Sequence, residues 1–130
     1  MPEHHASILV VDDEPHIRTL LQQTLEDLGD EVEITLAKDG RDGLHQALLL
    51  RPSLIFLDIM MPHLNGFEVC QRLRQSPEMN NTVIVLLTAR GQEVDRQAGL
   101  EAGANHYITK PFDPDAVLTL ARHALETHHA

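Results

Sequence analysis

Three short stretches of the chain are apolar almost without interruption: Ser7 to Val11, Ser53 to Leu57 and Thr82 to Leu87. Runs this short and this rich in Ile, Val and Leu are what a parallel strand buried on both faces requires. Val32, Ile34 and Leu36 alternate instead with Glu33 and Thr35, the pattern of a strand with one more exposed side near a sheet edge. His106 to Thr109 is a fifth, short strand.

Between these strands the apolar spacing changes to that of helices. Pro15 suits a first helical turn, where its missing N–H costs nothing, and Ile17, Leu20, Leu21, Thr24, Leu25 and Leu28 follow on one face until Gly29. Asp39 can cap a second helix whose inner face is Leu44, Ala47 and Leu48, ended by Pro52. Asn65 and Glu68 have capping-box spacing, and Phe67, Cys70 and Leu73 face inward behind them. Gln92 to Ala102 reads as a weak helix, with Val94, Ala98 and Leu100 its sizeable apolar groups and Gly99 in its interior; Gly103 fits its last turn. A last helix starts at Asp113 or Pro114, buries Val117, Leu120, Ala121 and Ala124, and frays from His128.

Strand and helix thus alternate five times, which with right-handed crossovers gives a doubly wound α/β parallel sheet covered on both faces. No linker or repeat divides the chain, so residues 1–130 read as a single domain with its core at about 7–127. A chain of this size can bury roughly two-thirds of its unfolded surface without staples.

Composition narrows the function. Twenty acidic against ten basic residues give a formal charge of −10, a surface that repels nucleic acid and anionic membrane. No apolar run is long enough to span a bilayer, and the single Cys70 cannot form an internal disulfide. The expectation is a soluble cytoplasmic protein with neither direct nucleic-acid contact nor membrane insertion. Nine histidines are scattered without ligand spacing and read as surface residues, His63 being the one near Asp58 in sequence.

In the doubly wound architecture every strand of interest delivers a polar group at the same edge: Asp12 and Asp13, Asp58, Thr88 and Lys110. Each alone has a plainer reading. Asp12 and Asp13 could cap a helix, Asp58 could be a cap or turn residue, Thr88 a capping hydroxyl, Lys110 a solvated charge, and Tyr107 half-buried packing. Together they point elsewhere. Three clustered carboxylates raise one another's pKa values unless a cation is present, and Mg2+ accepts carboxylate and phosphate oxygens. One carboxylate is then left to accept a phosphoryl group, with an ammonium and a hydroxyl to stabilise its oxygens.

Val10-Val11-Asp12-Asp13-Glu14-Pro15, Leu57-Asp58-Ile59-Met60-Met61-Pro62 with Asn65-Gly66, Leu87-Thr88-Ala89-Arg90 and the segment GLEAGANHYITKPF from Gly99 to Phe112 together resemble the receiver domain of two-component response regulators. The resemblance implies a flavodoxin-like (βα)5 fold with strand order 2-1-3-4-5. It implies that Asp58 takes a phosphoryl group from a phosphohistidine of a sensor histidine kinase or a histidine phosphotransfer protein. It further implies that Asp13, Asp58 and the backbone carbonyl of Met60 bind Mg2+, with Asp12 acting mainly through water, and that Thr88 and Lys110 bind the phosphoryl oxygens. Ala89 would leave access to the acceptor, Lys110-Pro111 would be a cis bond, and Thr88 with Tyr107 would form a switch pair. By the same resemblance Met60 and Arg90 would stand at positions that influence phosphate lifetime, Arg90 by slowing attack by water.

On this reading the domain catalyses only its own phosphorylation and its slow hydrolysis, passing the signal to a downstream effector that the residues do not identify, with dimerisation on phosphorylation as a further expectation. Two alternatives belong to other classes. A haloacid-dehalogenase-type phosphatase also uses an aspartyl phosphate, but carries a second Asp two residues on, where this chain has Met60. A phosphorylation-independent binding module on the same fold would not need the whole set of polar groups.

Overall fold

The computed structural model describes residues 6–89 and 95–129. The elements alternate as β1 (Ala6–Val11), α1 (Pro15–Leu25), β2 (Val32–Ala37), α2 (Gly40–Leu50), β3 (Leu54–Asp58), α3 (Gly66–Arg74), β4 (Val83–Ala89), α4 (Asp95–Ala102), β5 (His106–Lys110) and α5 (Pro114–His129), with short 3-10 turns at Glu26–Leu28 and Pro77–Met79. All strand pairs are parallel and the order is β2-β1-β3-β4-β5, as expected.

The apolar runs behave as fully buried strands because helices cover both faces. Leu9, Val11, Ile55, Leu57, Ile84 and Leu86 point to a core closed by Ala47 of α2, Val69, Cys70 and Leu73 of α3, and Ala102 of α4. Their neighbours Ile8, Val10, Leu54, Phe56, Val85 and Leu87 point the opposite way, to Leu21 and Leu25 of α1 and Val117, Ala121 and Ala124 of α5. This is the period-2 alternation of strands with each face given its own helical layer. β2 lies at the sheet edge and is buried fully only at Ala37, which accounts for its alternating sequence.

Local signals set several boundaries. The Asp39 side chain accepts from Asp42 N at 2.8 Å to start α2. Asn65 and Glu68 exchange two 2.9 Å bonds in a complete capping box at α3. Lys110-Pro111 is cis.

Other expectations are corrected. Leu20 and Leu48, placed on inner helix faces by spacing, are 41% and 44% exposed, while Val69 and Leu118, not singled out, are buried. Spacing shows which residues share a face, not how far the neighbouring layer reaches around it. On α4 the described apolar side chains Ala98 and Leu100 are exposed, and the helix meets the core through Gly99 and Ala102. A Cβ on Gly99 would lie 2.6 Å from Leu86 Cδ1, so the interior glycine permits a close approach to β4. The last helix continues to His129, since no helix breaker stands between Leu125 and that residue. His16, His45, His63, His106 and His123 are exposed, as expected. Gln92 to Val94, Arg90, His4, His5 and Ala130 lie outside the described residues.

Candidate functional site

Because all five strands run the same way, their carboxyl ends share one edge. Asp58 closes β3 there and Lys110 closes β5; Asp12 and Asp13 follow β1 directly, and Thr88 is the penultimate residue of β4. Carboxylate oxygens of Asp12, Asp13 and Asp58 lie within 4.8 Å of one another. Lys110 Nζ reaches into the group from the far side of the sheet, 2.9 Å from Asp12 Oδ2, 3.4 Å from Asp58 Oδ1 and 3.4 Å from Glu14 Oε1.

Asp12 and Asp13 do not cap α1. The N-cap is Glu14, and Asp12 Oδ1 accepts from Glu14 N at 2.9 Å. That turn aims the other oxygen of Asp12, a residue with no exposed surface, toward Lys110. Arg18 Nη1 donates to the Asp12 carbonyl at 2.7 Å and fixes the loop from behind. Glu14 stands inside the quoted motif, and the sequence pattern assigns a role neither to it nor to Arg18. Its place one helical turn past Glu14 is the signal that points it back at the loop.

Asp58 is only 4% exposed, and burial is the main reason its carboxyl pKa is pushed up, to about 7. The nearby Asp12 carboxylate adds to the rise. The Lys110 ammonium and the Met60 N–H, which donates to Asp58 Oδ1 at 3.3 Å, oppose it without cancelling it. For Lys110 burial is the largest influence and pulls its pKa down, but the bond to Asp12 and the charges of Asp12, Asp58 and Glu14 together hold it above the usual lysine value. The group therefore keeps a firm cation beside a carboxyl that resists ionisation.

A divalent cation fits this arrangement. The donors are all carboxylate oxygens, the choice of a hard ion, and the single ammonium of Lys110, 2.9 Å from the buried Asp12 Oδ2, is one positive charge against three carboxyl groups. Asp13 is exposed and opens the cluster to solvent.

Thr88 is buried on β4, next to β3, its hydroxyl donating to the Ala89 carbonyl at 3.4 Å. Ala89 itself is exposed. Tyr107 is not in the polar cluster; it is half-buried against the core under α3 and α4. The register pairs Leu86 with Tyr107 and Thr88 with Thr109, so Thr88 and Tyr107 sit diagonally on one face of adjacent strands. Met60 is 61% exposed in the loop after β3.

A family model for the response regulator receiver domain matches residues 8–122. The chain belongs to that family. It is 49% identical over 110 residues to the alkaline phosphatase synthesis transcriptional regulatory protein PhoP of Bacillus subtilis, covering 85% of this chain and 44% of that protein. It is 43% identical over 115 residues to the DNA-binding dual master transcriptional regulator RpaA of a Synechocystis strain, covering 88% and 47%. Among solved structures, the chemotaxis response regulator CheY4 of Vibrio cholerae superposes with a TM-score of 0.84 at 34% identity, over 92% of this chain and 98% of that one. The receiver domain of NtrX from Brucella abortus gives 0.81 at 34% identity, again over 92% and 98%. The chain spans about half the length of the curated relatives it matches. As a receiver domain it is a phosphoacceptor module of two-component signalling, and no helix among its described residues is long and apolar enough to cross a membrane.

Proposed function

We propose that Asp58 is the phosphoryl acceptor of this receiver domain. The observation that carries the proposal is the convergence of two carboxylates and one lysine, from two other strand ends, on a buried aspartate. Asp13, Asp58 and the Met60 carbonyl would hold Mg2+, with Asp12 acting mainly through water. The ion would supply positive charge against which phosphoryl oxygens can be neutralised.

The remaining work falls to the chain's own groups. An Asp58 oxygen attacks phosphorus of a phosphohistidine, the P–N bond breaks, and the imidazole leaves with its electron pair and takes a proton. Lys110, already beside Asp58, pairs with one phosphoryl oxygen, and the Thr88 hydroxyl donates to another. Hydrolysis of the acyl phosphate returns Asp58. The domain thus catalyses its own phosphorylation and its slow loss, with Arg90 slowing attack by water. Drawing the Thr88 hydroxyl toward the phosphoryl group frees space that the diagonal Tyr107 ring can enter, biasing α4, whose described contacts with the core are small.

The donor would be a sensor histidine kinase or a histidine phosphotransfer protein and the recipient a downstream effector, with dimerisation on phosphorylation as one route. The acidic surface argues against direct nucleic-acid contact by this segment, and the single Cys70, which cannot form an internal disulfide, fits a cytoplasmic location. Residues 1–130 would act as one receiver unit.

Incubation with Mg2+ and acetyl phosphate, or with a phosphorylated kinase, should add one phosphoryl group to the intact mass, labile to acid and base. Asp58→Asn should remove it. Label that persists in the variant would assign the acceptor elsewhere.

A further inference from the structure

A groove of about 490 Å³ runs between α2 and α3, away from the carboxylate cluster. One wall is the stripe Arg41, Leu44, His45 and Leu48, whose spacing puts all four on one helical face. Leu48, like Leu20 of α1, is assigned to an inner face by its spacing, and the fold leaves it 44% exposed. Beside it on α2, Leu49 is 68% exposed. The opposite wall is Arg72 and Glu68 of α3, and Leu64 closes the floor.

The charge of the groove runs against that of the protein. Its lining holds Arg41 and Arg72, while the chain as a whole is at −10. Among the described residues neither guanidinium has an ion-pair partner within 4.0 Å. The one acid in the lining, Glu68, is occupied with the Asn65 backbone N–H in the capping box. The two imidazoles, His45 and His63, bring no negative charge. An apolar floor and lip between two unpaired guanidinium groups matches a helix with an apolar stripe and acidic flanks, which would be laid between α2 and α3 as a helix is laid in a groove.

We infer that the α2–α3 groove is a docking site for an acidic amphipathic helix of a partner protein. The inference does not depend on the role of Asp58. Docking covers Leu48 and the groove floor, and acidic side chains of the partner pair with Arg41 and Arg72.

The test uses a fluorescein-labelled helical peptide of about sixteen residues, enough for some four turns, with a leucine stripe and glutamate flanks. Its twin has every glutamate replaced by lysine. Anisotropy gives the affinity, and amide shifts of the isotope-labelled chain locate the contact. The glutamate peptide should perturb α2 and α3, bind at least about tenfold more tightly than its twin, and lose about tenfold in affinity to Leu48→Asp and to the double change Arg41→Glu with Arg72→Glu. These positions are solvent-exposed, so the variants keep the fold. Absence of binding, equal binding of the two peptides, shifts on another face, or affinity unchanged by the variants would overturn the inference. So would sedimentation showing a dimer that Leu48→Asp dissolves, which gives the groove to a second copy, or displacement of the peptide by a single-stranded oligonucleotide, which gives it to nucleic acid.

Discussion

Replacing Asp58 by Asn should change how stability depends on pH, in a direction set by burial. In the folded chain the Asp58 carboxyl titrates at about 7, against an ordinary value of 3.8. The folded state therefore holds this proton more tightly than the unfolded state does. Stability from that group is fully present at low pH and is lost as pH rises through the folded value near 7. At about 1.36 kcal/mol per pKa unit, the wild type should lose roughly 2.5 kcal/mol between pH 5 and pH 8 that the asparagine variant does not lose. Urea unfolding of both proteins in chelator-treated buffer at a series of pH values measures it, and subtraction cancels the histidines that the two share. At pH 5 the two should be close; at pH 8 the variant should be the more stable. Saturating Mg2+ at pH 8 should then stabilise the wild type more than the variant, by mass action on the folded state. A difference between the two proteins that stays constant within about 0.5 kcal/mol from pH 5 to pH 8 would refute burial as the source of the raised carboxyl.

Other changes test separate parts of the same arrangement. Lys110→Met leaves buried Asp12 without its 2.9 Å cation, and should cost about 3 kcal/mol at pH 8 in urea unfolding, less at pH 5. In the same variant, carbon-detected NMR titration should place the Asp58 carboxyl above its wild-type value of about 7, because Lys110 is one of the groups that lower it. Gly66→Ala drives a methyl group into the Asp58 carbonyl and to 2.9 Å from Ile59 Cα, backbone atoms that cannot turn aside. It should destabilise by about 2–3 kcal/mol and shift the Asp58 and Ile59 amide resonances. Asn65→Ala removes one bond of the α3 capping box and should cost about 1 kcal/mol in the same unfolding assay.

Much of the frame is legible along the chain because its signals are local. A buried parallel strand must be apolar on both faces, and β1, β3 and β4 announce themselves for that reason alone. The caps at Asp39 and Asn65 act within three residues of themselves, so their spacing suffices to find them. Five alternations of strand and helix leave few topologies, and a parallel sheet brings its strand ends to one edge. That is why Asp12, Asp13, Asp58, Thr88 and Lys110 stand out together along the chain.

What periodicity cannot reach is how elements meet across the chain. The contact of Lys110 with Glu14 joins residues 96 positions apart, and no local pattern marks Glu14 as part of the lysine's surroundings. Arg74 ties α3 to the end of α4 by donating to Gly103 O at 2.9 Å and Asn105 Oδ1 at 2.7 Å, again a matter of packing. Leu48 shows the limit most plainly. Its helical spacing determines that it shares a face with Leu44, but it lines an open groove between α2 and α3, so tertiary packing alone decides that it meets solvent and not the core. The sequence by itself determined which groups stand at the strand ends; only the fold decided that Asp58 is buried deeply enough to hold its proton, because desolvation depends on everything packed around a carboxyl and not on its neighbours in the chain.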